Sequence, residues 1–199
     1  MFTSHFRPKP LALVLGLAAC APASSVPPES FYRIDVPAPQ EAAARRLPGV
    51  VEVAPLDADG VIGERAIVHT DDSGVLLKYS YHSWIETPAE MLHKELVNYL
   101  RRRGVAEQVA GPELRLVPTH RVQGALRRLE QVTRPDGSAL AVVDMELALI
   151  RGRDPKPLIL KTYHAERAAR DPSVLEATRA IREAVAEVFS RFADDMGKN

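Results

Sequence analysis

The chain has 199 residues, 46% of them hydrophobic, and its 26 Lys and Arg are balanced by 26 Asp and Glu. Of those charges only Arg7 and Lys9 lie in residues 1–19, so the remainder is also close to neutral, which argues against a nucleic-acid partner. A single cysteine, Cys20, rules out an internal disulfide, and the length beyond it suits one domain with a proper core.

His5, Arg7 and Lys9 precede the apolar stretch Leu11 to Leu17 with no acid among them, the layout of a cleaved export signal over residues 1–19. That stretch is too short to span a bilayer, which takes roughly 20 apolar residues. Leu17-Ala18-Ala19-Cys20 resembles the lipobox of bacterial lipoproteins, in which Cys receives a thioether-linked diacylglycerol before the signal is cut. The resemblance implies cleavage between Ala19 and Cys20, and acylation of Cys20 as the first mature residue. Ala21, where Asp would favour inner-membrane retention, implies the periplasmic face of the outer membrane. Residues 20–30 are rich in Pro, Ala and Ser and are expected to be a flexible tether between the lipid and a domain over residues 31–199.

Within that domain, Pro37-Ala38-Pro39-Gln40 separates the short apolar segment Phe31 to Val36 from the remaining elements. Strand patterns run over Val50 to Pro55, Ala66 to Thr70 and Val75 to Ile85, the last two joined by the turn Asp71-Asp72-Ser73-Gly74. In the third run Val75, Leu77, Tyr79 and Tyr81 alternate with Leu76, Lys78, Ser80 and His82, as in a half-buried antiparallel strand. Thr87-Pro88-Ala89-Glu90 combines a cap, a first-turn proline and a capping-box glutamate. The helix it predicts carries Leu92, Leu96, Tyr99 and Leu100 on one stripe and ends in Arg101-Arg102-Arg103 before Gly104.

Further extended segments are Glu107 to Ala110, Leu114 to Val117, Val122 to Val132, Ala139 to Ile150 and Leu158 to Ala165, with a turn at Pro135-Asp136-Gly137. Val143, Met145, Leu147 and Leu149 should line one face of their strand, opposite Asp144 and Glu146. Asp171-Pro172 starts a final helix with an apolar stripe of Leu175, Thr178, Ile181, Val185, Val188, Phe189 and Phe192. The order predicts an α+β domain: a mainly antiparallel sheet with two packed helices.

Catalytic signatures are absent: there is no Gly-x-Ser-x-Gly, no phosphate-binding glycine loop and no His-Glu-x-x-His, so no enzyme activity and no cofactor are expected. His69, Asp71 and Asp72 sit where a turn favours such residues for backbone reasons, and the other histidines lack metal-site spacing. Arg101, Arg102 and Arg103, with Arg127-Arg128 and Arg151-Gly152-Arg153, are either a basic face for phospholipid headgroups or an acidic partner, or solvated element ends. Tyr79, Tyr81 and Trp84, with Tyr99, are either the lining of a lipid pocket or core residues with polar tips.

Taken together, the tether, Phe31-Tyr32-Arg33-Ile34, Gly60-Val-Ile-Gly-Glu-Arg-Ala-Ile-Val68, Tyr79-Ser-Tyr-His-Ser-Trp84, the Pro88 helix with Met91-Leu92, and Val122-Gln-Gly-Ala-Leu126 with Leu129-Glu130 resemble the ABC-type transport auxiliary lipoproteins. The Pqi-type envelope lipoprotein is a member of that family. The resemblance spans nearly all of the mature chain and lies in the order of the segments. It implies a non-enzymatic lipid-anchored subunit working beside an ABC transporter and its MCE-domain protein in moving lipid between envelope membranes. Phospholipid is a further candidate ligand. An outer-membrane assembly or lipopolysaccharide-export chaperone is an alternative of the same anchored α+β form, and a lipid hydrolase is disfavoured by the missing nucleophile motif.

Overall fold

A long antiparallel hairpin forms the frame of the domain. A computed structural model describes residues 26–71, 73–154 and 156–199. Its strands are β1 (Ser30–Tyr32), β2 (Leu47–Val53), β3 (Asp57–Ala58), β4 (Ala66–Thr70), β5 (Leu76–Trp84), β6 (Ala106–Ala110), β7 (His120–Thr133), β8 (Ala139–Arg151) and β9 (Ile159–Ala168), and its helices are α1 (Pro88–Arg103) and α2 (Val174–Met196). The β7–β8 ladder runs from His120 opposite Arg151 to Thr133 opposite Ala139, and β9 extends it on the far side of β8.

Along its other edge β7 accepts three short strands in succession, all parallel to it: β2 beside 120–122, β3 beside 125–126 and β4 beside 130–132. β5 then pairs antiparallel with β4, β1 parallel with β5, and β6 parallel with β2. The sheet is therefore mixed and curls into a half-barrel, with most paired residues in the antiparallel ladders. The fold is a single α+β domain, as expected.

Both helices start and stop at local signals. Thr87 Oγ1 accepts from the Glu90 N–H, the Glu90 side chain accepts from the Thr87 N–H, and Gly104 closes α1 in the left-handed region at φ 72°. α2 begins two residues beyond the Asp171-Pro172 signal, because Ser173 is the residue whose hydroxyl caps the Glu176 N–H, while Asp171 instead caps the turn before it.

α2 lays Ile181, Val185, Val188, Phe189 and Phe192 on the face of β8 that carries Val143, Met145, Leu147 and Leu149, and all nine side chains are fully buried. Tyr163 of β9 packs edge-on against Phe192, and Tyr99 of α1 packs edge-on against Phe189, which ties the two helices together. Burial on this scale supplies the main favourable term in folding.

Three expectations are corrected. Leu114 to Val117 is no strand: Pro112–Leu114 forms a single 3-10 turn, and the irregular chain beyond it ends at Pro118, since two prolines remove the N–H donors a ladder would use. Leu175 is exposed, because Val174 takes the first place in the buried stripe of α2. The alternation read in β5 also fails: Leu76 and Leu77 are both exposed, and between the pairs Val68–Lys78 and Ala66–Ser83 β4 advances two residues while β5 advances five. The helices pack on the other half of the sheet, so neither face of β5 is extensively covered.

Two measurements test this architecture. A Cβ on Gly124 would meet the Glu146 carbonyl oxygen at 2.5 Å and Leu147 Cδ2 at 2.6 Å, so Gly124→Ala is expected to cost about 1–3 kcal/mol in chemical denaturation. An unchanged midpoint would contradict the close β7–β8 packing. The second concerns Asp195 in the last turn of α2. Burial pushes its carboxyl up, but hydrogen bonds from Lys198, Lys161 and Tyr163 outweigh that and hold it down, to about 2. A carboxyl depressed in the folded state stabilises above its unfolded pKa and loses that contribution as pH falls through the folded one. Thermal melts should therefore lose stability from about pH 4 towards pH 2, and Asp195→Asn should flatten that slope; identical slopes would refute the tie.

Candidate functional site

The last turn of α1 sends its three arginines in three directions. Arg101 donates through Nε and Nη2 to the Val109 carbonyl of β6 at 3.3 and 3.0 Å. Arg102 donates to the Val36 carbonyl at 3.3 Å. Arg103 is 7% exposed and donates to the Glu41 carbonyl and to the Asp194 carboxylate of α2, both at 2.6 Å. The triplet is thus a clamp: it fastens the segment before β2 and the end of α2 onto α1, and it withdraws Arg103 from the surface.

Nor do the aromatic candidates share a pocket. Trp84 is 1% exposed in the core, where its backbone N–H donates to the Arg65 carbonyl at 2.7 Å. Tyr81 is exposed and sits at φ 61°, an uncommon conformation for a bulky residue that marks the break in β5. Tyr99 is buried against Phe189. Only Tyr79 joins a wider polar group.

That group lies where β1, β4, β5 and β7 meet. The Tyr79 ring stacks on His69 with centroids 4.3 Å apart and presents its edge to His82 at 6.3 Å. Its hydroxyl donates to Gln131 Oε1 at 2.5 Å, and Gln131, fully buried, donates in turn to the Pro172 carbonyl before α2 at 3.1 Å. Burial pushes the Tyr79 hydroxyl pKa up, so it remains a donor. The Tyr32 hydroxyl of β1 meets His82 Nδ1 at 2.9 Å. Tyr32, His82, Tyr79 and Gln131 are thus joined by hydrogen bonds, and none of these four is a carboxylate. Its capability is mechanical: it locks β1, the first described strand, onto the sheet and onto the start of α2. Leu77, paired with His69 across the β4–β5 ladder, is exposed beside it. Of these residues, sequence reasoning singled out Tyr79 but missed Tyr32, His82 and Gln131 as partners; the one signal was Gln131 two residues after Leu129 on an otherwise apolar face of β7.

A cleft of about 630 Å³ opens between α1, α2 and the segment before β2, lined by Pro37, Glu41, Tyr99, Arg103, Glu187 and Asp194. Its arginines face acids, Arg103 on Asp194 and Arg167 and Arg191 on Glu187. Asp71 is engaged by the Ser73 N–H and hydroxyl as a turn residue, while Asp72, Ala19 and Cys20 lie outside the described residues. Among the described residues no group of three or more His, Cys, Asp or Glu is placed to hold a metal ion. No described helix is long and apolar enough to cross a membrane.

Comparison with known proteins gives the geometry a lineage. No curated protein matches the chain. Among solved structures, protein XCC0632 from Xanthomonas campestris superposes with a TM-score of 0.76 at 18% identity, covering 83% of this chain and 93% of its own. The hypothetical protein CT253 from Chlamydia trachomatis superposes with a TM-score of 0.54 at 10% identity, covering 77% and 100%. At these identities the likeness is one of fold. The sequence model for the ABC-type transport auxiliary lipoprotein component matches residues 32–193, from the end of β1 to the last turn of α2. The chain belongs to the ABC-type transport auxiliary lipoprotein component family.

Proposed function

We propose that this chain is a non-enzymatic, lipid-anchored subunit of an ABC transport system that moves lipid between the membranes of a bacterial envelope. It would work beside an MCE-domain protein from the periplasmic face of the outer membrane. The observation that carries this reading is the family match over residues 32–193, which covers every described element from Tyr32 onward but the final residues of α2.

Two features support it. The lipobox-like Leu17-Ala18-Ala19-Cys20 and the Pro-rich residues after it lead directly into β1, and the Tyr32–His82 contact secures that strand to the sheet. A pull on the tether therefore meets a strand held by its ladder and by a side-chain contact. Second, confinement to a membrane surface raises the effective concentration for a membrane-bound partner, so docking needs no tight intrinsic affinity. Two or three acyl chains, at about 0.8 kcal/mol per buried methylene, make dissociation from the bilayer negligible.

Cys20→Ser is the direct test. It should leave a folded protein with an unchanged melting temperature that no longer restores envelope integrity in a deletion strain. Full rescue by that unanchored variant would contradict the proposal.

A further inference from the structure

The end of the sheet where β7 begins differs in composition from the rest of the surface. The loop between β6 and β7 carries Leu114, Leu116 and Val117, which are 56%, 40% and 88% exposed, bracketed by Pro112 and Pro118. Arg115 between them adopts φ 51° and closes the 3-10 turn with its N–H on the Pro112 carbonyl at 3.1 Å. The loop is held in place: the Gly152 N–H of the β8–β9 turn donates to the Thr119 carbonyl at 2.8 Å, and Thr119 Oγ1 donates to the Pro48 and Val50 carbonyls. Leu114 and Leu116 share a groove with Arg46 and Arg101.

The cations here also differ from those within the other strands. Arg115, Arg151, Arg153 and Lys156 form no ion pair among the described residues, whereas exposed cations on the rest of the sheet, such as Lys78, Arg121, Arg127 and Lys161, face carboxylates. Of the nearby acids, Asp154 accepts from the Lys156 N–H and Glu107 from the Gly49 N–H, both at 2.9 Å, while the Glu113 carboxylate lies against Gly111. Protruding Leu and Val side chains ringed by unpaired Arg and Lys match a surface that is anionic outside and apolar just beneath.

We infer that this tip, Leu114 to Val117 with Arg115, Arg151, Arg153 and Lys156, is a second membrane contact that seats on the anionic phospholipid surface of the bilayer carrying the anchor. The inference rests on the acylation of Cys20. Reach favours that bilayer over a distant one. Through β5 and β4, Ser30 stands level with residues 128–130 of β7, about 30 Å from His120 at the rise of an extended strand. Residues 20–29 span at most about 35 Å of extended chain. An anchor at Cys20 and a tip at His120 therefore reach one leaflet together, which would fix the orientation of the domain.

The test uses the acylated protein with Val117→Cys, its one free thiol, labelled with an environment-sensitive dye and reconstituted into vesicles of phosphatidylcholine with or without phosphatidylglycerol. The dye should shift to shorter wavelength on the anionic vesicles alone. Arg115→Glu with Arg153→Glu, or high salt, should abolish the shift. No shift on anionic vesicles, an equal shift on neutral ones, or a shift indifferent to charge reversal would overturn the inference. Flotation of the same vesicles separates the two claims: protein that floats with a silent dye refutes the tip alone, and protein that fails to float refutes the anchor and the tip with it.

Discussion

The β7–β8 ladder, buried on one face beneath α2, is the constraint on which the other elements depend. β7 offers one edge to β8 and the other to β2, β3 and β4 in turn, so the three short parallel strands have no common support except β7. Each pairs with β7 over only two or three residues, a ladder that is marginal alone and is held here because its neighbour is rigid. The apolar face shared by β8 and α2 keeps β7 rigid. Gly124 marks how closely this is packed: it is the position on β7 where the Glu146 carbonyl and the Leu147 side chain leave no space for a methyl group.

Signals that act within a few residues were legible in the sequence. Thr87, Pro88, Glu90 and Gly104 bound α1 because capping is local chemistry, and the buried face of β8 comes from short-range alternation. What escaped was set by distant partners. The parallel pairing of β2, β3 and β4 on β7 depends on loop paths that no local pattern encodes. Leu77 and Tyr81 read as buried because alternation reports a face and not whether another layer covers it. Arg101 to Arg103 read either as a basic face or as solvated ends, yet successive residues on a helix point about 100° apart, and these three neighbours reach three different carbonyls. Gln131 stood out only as a polar residue on an apolar face, and its two partners, Tyr79 and Pro172, lie far from it in sequence.

The same contacts bear on function through mechanics more than through chemistry. The Arg103 clamp to Glu41 and Asp194 and the Tyr32–His82 contact both fasten the N-terminal segment, which is the part of the domain nearest the proposed anchor. Force or tethering at residue 30 is thereby passed to the sheet and to both helices. The proposed role, an accessory that acts by binding, needs this: a rigid body whose exposed loops and edges hold fixed positions relative to one another.

The central functional claim, that this family member serves a lipid transport assembly, is tested most directly by isolating its partners. Tagged, acylated protein would be purified from detergent-solubilised envelopes, and co-eluting proteins identified by mass spectrometry. The account predicts an MCE-domain protein or subunits of its ABC transporter. Recovery of an outer-membrane β-barrel, with neither of these present, would contradict it.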